Sequence, residues 1–424
     1  MVRPVPSGID VTFPALDSLR AVAAIAVLGT HAAFWSGAYS QPAWGTTLAR
    51  LDVGVAIFFV LSGFLLSRPW IARHRAGVPA PSTGRYLWKR VLRLGPVYVI
   101  TVVATLAVLP GNRDAGPGDW VTTLFMGNIY VDDTLPDGLT QMWSLATEVA
   151  FYVALPILMW LALSRRTGWD RRPDRTLAVA AGMFVVTVVW LLDLSVRWDH
   201  GGTMIRLWLP SYLTWFAVGL VFAWCDVRAR VDQPQPVDRL TAVLSEMGRS
   251  PGLCWAAAAA LLAVAATPVA GPADLTPPTL EAALTKNLLY AAIAGLVILP
   301  GIFAHTDGYF VRILAHPVPR HVGHLSYGVF CIHLLLLELI SDWREITLFE
   351  GRGLELFALT LMASLLVAEA LYRAVELPVL RLRNVRPPWA RSSETSAPSA
   401  NATKSWGATS APAQPSSEPK GRHQ

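Results

Sequence analysis

Residues 53–67 read Val53-Gly54-Val55-Ala56-Ile57-Phe58-Phe59-Val60-Leu61-Ser62-Gly63-Phe64-Leu65-Leu66-Ser67, a block without one ionisable side chain. The connection 68–93 then holds Arg68, Arg73, Arg75, Arg85, Lys89, Arg90 and Arg93 and no acidic residue. An apolar block that ends in a basic, acid-free loop predicts a membrane helix with its untranslocated flank, because Lys and Arg resist passage across the bilayer. Working outward, further apolar blocks lie near 16–36, 94–110, 141–163, 177–192, 207–224, 253–271, 287–304, 322–340 and 354–375. Most approach the roughly 20 residues a helix needs to cross hydrocarbon. The expected fold is all-α: a polytopic bundle of about ten transmembrane helices, with the lipid bilayer as its first partner.

Composition agrees. The 424-residue chain is 53% apolar and only 15% charged, with a formal net charge of +6. Soluble domains carry about 25% charged residues, so a water-soluble globular enzyme is excluded, as are disordered and collagen-like chains. Cys225, Cys254 and Cys331 form no CxxC pair, which removes a disulfide scaffold, a zinc knuckle and a redox motif. No nucleic-acid partner is expected. The first block is not read as a cleaved signal peptide: it starts far from Met1, carries Asp17 and Arg20, and reaches His31 without a small-residue cleavage site.

Charge sets the expected orientation. Loops 68–93, 164–176, 225–250 and 305–321 hold 18 Lys and Arg, against about seven in the five alternate loops. This places both termini in the cytoplasm of a plasma-membrane protein. The apolar piece 120–131 is too short to cross and is expected to be interfacial or re-entrant. The organisation expected is a cytoplasmic segment 1–12, a membrane domain 13–380 and a tail 381–424. From Arg391 the tail is mostly Ser, Ala, Pro and Thr, which cannot offset its ordering entropy by burial. No internal repeat is visible, and this weighs against transporters built from inverted repeats.

Ionisable groups inside membrane helices are costly, and that makes them functional candidates. They are Arg20 and His31 in the first block, Glu148 in the fourth and His333 in the ninth. Arg20 and His31 are eleven residues apart, close to three full turns, so they project from one face about 16 Å apart along the axis. Counted from the outer helix ends, His31, Glu148 and His333 lie roughly 8–10 Å deep. Their side chains are therefore expected at one level, with Arg20 nearer the cytoplasm. Glu148 needs a partner or a protonated state, and Arg20 on the face of His31 adds a second costly group, but other candidates have plainer explanations. His333 suits a helix–helix hydrogen bond. Arg90 and Arg93 share a helix face and can grip phosphate oxygens, but arginine at a cytoplasmic helix end is also what topology demands. Ser62-Gly63 suits close helix packing, and Trp143, Tyr152 and Tyr327 suit an interfacial aromatic belt. No metal is expected, because His321, His324 and His333 share no helix face with a carboxylate and no cysteine joins them.

These motifs, in order, resemble the acyltransferase-3 family of integral-membrane O-acyltransferases over nearly all of 13–380. Leu16-Asp17-Ser18-Leu19-Arg20 leading to His31 is similar to the family's opening motif, and Phe58–Phe64 to its second-helix signature. Arg90-Val91-Leu92-Arg93 is similar to its RxxR motif. Trp143-Ser144-Leu145 with Glu148, Phe151 and Tyr152 resembles its fourth-helix pattern. Ser326-Tyr327 through His333 resembles its late SYG…H motif, and Glu376-Leu377-Pro378 its closing E-x-P. Two departures stand out: Ala56 where the family often has Asp, and Ser18 where Gly is usual. Some relatives carry a further SGNH-type esterase domain, whose role is not transferred to this chain.

The resemblance implies an acyl-CoA donor, usually acetyl-CoA, that enters from the cytoplasm, with His31 essential and Arg90 and Arg93 functional. The expected chemistry is acyl transfer to a hydroxyl of a carbohydrate, cell-surface glycan or glycosylated product. A macrolide-like antibiotic or other lipophilic metabolite is the alternative acceptor. His31 would act as general base, with Glu148 orienting it as the acid does in a Ser-His-Asp set. Arg20, Tyr152 or Ser326 would supply an oxyanion donor. Asp17, Ser62, Trp143, Tyr327 and His333 are supporting candidates, and a covalent route through His31 or Ser62 stays open. The rival from another class is a proton-coupled transporter or flippase, with Arg20, His31 and Glu148 as a proton relay.

Overall fold

A computed structural model describes residues 11–42, 44–164, 175–198, 203–231, 238–274, 276–305 and 308–384. The expected tail from 385 onward, and all but the last two residues of the expected N-terminal segment, lie outside them. Ten main helices follow in order: α1 (Pro14–Trp35), α2 (Val53–Arg75), α3 (Thr83–Val108), α4 (Met142–Leu163), α5 (Arg175–Val189), α6 (Leu213–Arg230), α7 (Pro251–Ala265), α8 (Leu280–Phe303), α9 (Pro317–Trp343) and α10 (Gly353–Leu371). Among the described residues there is no strand, and the chain is an all-α, multi-pass membrane protein.

Nine helical segments among the described residues are long and apolar enough to cross a membrane. The tenth expected span is different. At 15 residues α7 is short, and it forms with the preceding helix Arg239–Gly248 a pair bent by 92°. Proline marks several helix starts, at Pro14, Pro251 and Pro317, where its missing N–H costs nothing. Asp238 caps the helix Arg239–Gly248 by accepting from the Thr241 N–H at 3.0 Å. The piece 120–131 folds into two short helices, Pro117–Leu124 and Asn128–Val131, both too short to cross.

Several expected boundaries move, that of the third helix furthest. The sequence reading starts the third helix at 94, whereas α3 begins at Thr83, so Arg90 and Arg93 stand on the helix rather than at its mouth. Apolarity sets the length of a span but not of the helix, which Arg, Lys and Leu extend at little cost.

The most extensive contacts join α2 to α6, α1 to α9 and α9 to α10. Lipid cannot drive helices together by hydrophobicity, so close approach has to come from small residues. At the α2–α6 crossing, Gly63 packs on the Phe216 backbone and Gly219 on the Val60 carbonyl, leaving no room for a Cβ at either. Nearby, Asp226 (α6) is fully buried between Arg68 (α2) at 2.7 Å and Arg230 at 2.5 Å, and both guanidiniums lie over the Phe13 ring. The periphery is the reverse of a soluble protein's surface: Val185 on α5 is 54% exposed, and Met362 and Leu366 on α10 are 62% and 71% exposed.

The α9–α10 connection is bound to the end of α1. Phe349 N–H donates to the Trp35 carbonyl at 2.8 Å and Gly351 N–H to the Ser36 carbonyl at 2.9 Å. Glu345, Phe349 and Arg352 all adopt positive φ in this turn, a costly conformation for side-chain-bearing residues that surrounding contacts must hold in place.

Candidate active site

Polar side chains from five helices converge on a cavity of about 80 Å³. α1 supplies Arg20, α2 Ser62, α3 Arg90 and Arg93, α4 Ser144, Glu148 and Tyr152, and α9 Ser326 and Tyr327; Phe58 and Phe330 close it on the apolar side. A larger cavity of about 480 Å³ lies against Gly29, Ala32 and Ala33 of α1 and against Ser36 just beyond its end. At about 100° per residue those positions face away from Arg20 and His31, and the larger cavity is otherwise lined mainly by apolar groups such as Leu48, Leu51 and Phe357. Convergent polar groups, rather than size, mark the smaller cavity as the candidate site.

Within it, Glu148 Oε1 accepts from the Ser62 hydroxyl and, at 2.7 Å, from the Tyr152 hydroxyl one turn along α4. Arg93 is ion-paired with Glu376, at the π-helical turn Tyr372–Glu376 that continues α10. Its guanidinium also lies 5.8 Å from the Tyr327 ring centroid, and Tyr327 donates to the Leu94 carbonyl at 2.6 Å. Ser326 donates to the Gly323 carbonyl at 2.7 Å. Arg90 stands over the Tyr152 ring at 5.9 Å, and its Nε is buried without a hydrogen-bond partner. Among the described residues, neither Arg20 nor Arg90 has a carboxylate within ion-pairing distance. Three guanidiniums therefore meet two carboxylates, and two of the three are unpaired. In a low-dielectric surrounding such a cluster is costly until an anion completes it.

The two histidines form a separate centre. His31 Nδ1 lies 3.0 Å from His333 Nε2, and His333, only 1% exposed, turns its Nδ1 to the carbonyls of Phe330 at 2.8 Å and Val329 at 3.1 Å. Neither ring lines the cavity, but the Phe330 ring, which does, has its centroid 6.1 Å from that of His333.

The expectation that Glu148 orients His31 is therefore corrected. The carboxylate is engaged by Ser62 and Tyr152, and the side chain on His31 is His333. Counting depth from helix ends assumed that all ends share one plane. They do not: Gly54, at the second position of α2, already packs against the Ala23 carbonyl, midway along α1.

Besides His333, two supporting candidates stand outside the cavity lining. Asp17 pairs with Arg320 at 3.4 Å and His324 at 3.6 Å, and Trp143 packs against Tyr212 with centroids 5.0 Å apart. Glu376 was given no role from the sequence, although it lies in the closing E-x-P motif; its burial was hidden because it follows the last apolar block. Among the described residues no group of three or more metal-ligating side chains occurs.

The profile of the acyltransferase-3 family, described as an acyltransferase domain, matches residues 13–373. Over 390 residues the chain is 26% identical to the peptidoglycan O-acetyltransferase OatA of Listeria monocytogenes, covering 86% of this chain and 55% of that protein. Over 232 residues it is 28% identical to the acyltransferase MdmB of Streptomyces mycarofaciens, covering 50% of this chain and 57% of that protein. The putative peptidoglycan O-acetyltransferase YrhL of Bacillus subtilis is 24% identical over 390 residues, covering 86% of this chain and 54% of that protein. The chain thus spans about half the length of the curated relatives it matches. No solved structure matches it.

Proposed function

The chain belongs to the acyltransferase-3 family, and from that premise we propose that it moves an acyl group, acetyl in the first instance, from a coenzyme A thioester to a hydroxyl of a carbohydrate or surface glycan. The observation that carries this reading is the unpaired guanidinium pair, Arg20 and Arg90, beside Arg93 in one cavity within the helix bundle. Arginine forks bind phosphate oxygens with paired hydrogen bonds, and the phosphates of coenzyme A are the anions that would complete the cluster. Arg20 and Arg90 take them up in the cavity, beside the Arg93 that Glu376 holds in place, and the pantetheine arm passes Ser62, Glu148 and Tyr152.

From Arg20 to His31 is about 16 Å along α1, a distance that a flexible arm extended along the helix bridges. His31 then takes the proton of the acceptor hydroxyl as its oxygen attacks the thioester carbonyl. The C–S bond breaks, and the thiolate leaves with the proton held by the imidazolium. In this reading Glu148 belongs to the donor-binding cavity, and Arg20, Tyr152 or Ser326 answers charge on the donor.

Acceptor class rests on the relatives. Two are named for peptidoglycan O-acetylation, which favours a glycan, whereas the Streptomyces relative is named only as an acyltransferase. A macrolide-like hydroxyl is therefore the second acceptor reading. The distribution of basic loops supports a donor entrance and both termini on the cytoplasmic side of a plasma-membrane protein.

The test is consumption of radiolabelled acetyl-CoA by purified full-length protein, with His31→Ala as comparison and surface glycans and secreted metabolites compared by mass. Label transferred to a hydroxyl by the wild type and not by His31→Ala is the expected result. Substrate movement without thioester consumption would replace the reading with a transporter, and retained transfer in His31→Ala would end the role of His31.

A further inference from the structure

We infer that His333 is the positioning residue that sets the tautomer of His31, through a carbonyl–histidine–histidine relay inside the helix bundle. The inference rests on the reading of His31 as general base and supplies the partner that base requires.

The proton positions follow from what each atom can do. The Phe330 and Val329 carbonyls only accept, so the Nδ1 of His333, facing both, carries the hydrogen. In a neutral ring the other nitrogen is then bare, and His333 Nε2 offers a lone pair. That lone pair faces His31 Nδ1 at 3.0 Å, so His31 Nδ1 carries the hydrogen and donates it. The Nε2 of His31 is left as the basic atom, on the side away from His333. Each hydrogen in the chain is thus forced by the next acceptor, ending at a backbone oxygen that cannot change its role.

The relay does for His31 what a buried carboxylate does in a serine-hydrolase triad, which is to fix ring orientation and leave the outer nitrogen unprotonated. It differs in charge. A neutral partner adds no anion to the membrane interior, where a carboxylate would be costly. His333 itself is 1% exposed and is held by α9's own backbone, so its ring is fixed before any substrate arrives.

The test separates positioning from general structural support. In purified full-length protein, His333→Ala is expected to lower kcat on the order of 10²–10⁴-fold with the donor KM unchanged. His333→Gln can present a carbonyl oxygen to the His31 N–H and is expected to recover most of that loss. Thermal unfolding in detergent is measured alongside. Wild-type kcat in His333→Ala, or His333→Gln no better than His333→Ala while both remain folded, would overturn the relay. If His333→Ala does not fold, the wild type decides: ¹⁵N shifts of labelled histidine, assigned by loss of signal in His31→Gln, should show His31 protonated at Nδ1 and bare at Nε2. The opposite tautomer refutes the inference. Loss of transfer in His31→Ala with full transfer in His333→Ala defeats only the relay, whereas transfer retained in His31→Ala defeats the base itself.

Discussion

Ser62 on α2 and Glu148 on α4 are joined by a hydrogen bond from the serine hydroxyl to Oε1, and Tyr152 donates to the same oxygen. The carboxylate thus ties two helices together at the wall of the arginine-lined cavity and is engaged before any substrate arrives. On the proposed reading, Glu148 acts on the donor that fills the cavity. Glu148→Ala is expected to raise the apparent donor KM about tenfold, the scale of one lost hydrogen bond to a charged group, with kcat largely kept. A fall in kcat at constant KM would instead return Glu148 to the chemistry at His31.

Arg20 and Arg90 lack carboxylate partners among the described residues, so removing either leaves no buried acid stranded. Arg90→Ala and Arg20→Ala are expected to keep the fold while raising donor KM by one to two orders of magnitude, about 1.5–3 kcal/mol for a charge-assisted hydrogen bond. Arg90→Glu should be worse than Arg90→Ala. Steady-state kinetics over a range of acetyl-CoA concentrations reads this out, and an unchanged KM would reduce both residues to a topological role.

Asp226 is a different kind of charge. It is fully buried between Arg68 and Arg230, and Asp226→Ala takes the carboxylate from between two guanidiniums. A loss of about 3–5 kcal/mol is expected, seen as lower thermal stability in detergent and poor yield. Retention of wild-type stability would mean that the two guanidiniums are satisfied by other groups.

The α2–α6 crossing has no space for side chains at Gly63 or Gly219. Gly63→Val should destabilise by about 1–3 kcal/mol or more, the usual cost of overpacking, and should also lower donor affinity because Ser62 is the adjacent residue. Thermal unfolding together with donor KM checks both effects; a shift in neither would show that the helices separate freely.

The sequence made the helices legible because bilayer thickness imposes a length that composition alone reveals; α2 is the plainest case, with an uninterrupted apolar run followed by seven basic residues. It also made the polar candidates legible, since a charge such as Arg20 or Glu148 within such a run has to be explained. What it could not supply was the vertical offset between helices. The α1–α2 connection folds back so that Gly54 meets Ala23, and no count from helix ends contains that displacement. The pairing of Glu148 with Ser62, which depends on it, was therefore out of reach, whereas His31 and His333 were expected at one level without their direct contact being foreseen. Arg93 with Glu376 was hidden for another reason: the acid lies beyond the last apolar block, where a charge draws no attention.

The turn that joins α9 to α10 has a further consequence. It grips the final carbonyls of α1 through Phe349 and Gly351, and it follows directly from the helix bearing His333. The two imidazoles are thus mounted on segments clamped together near one end, like the arms of a pair of tweezers closed at the hinge. Their spacing is governed by the fastening as much as by the rings, so lengthening this turn by a residue or two would disable the pair from a distance while every polar side chain remained in the chain.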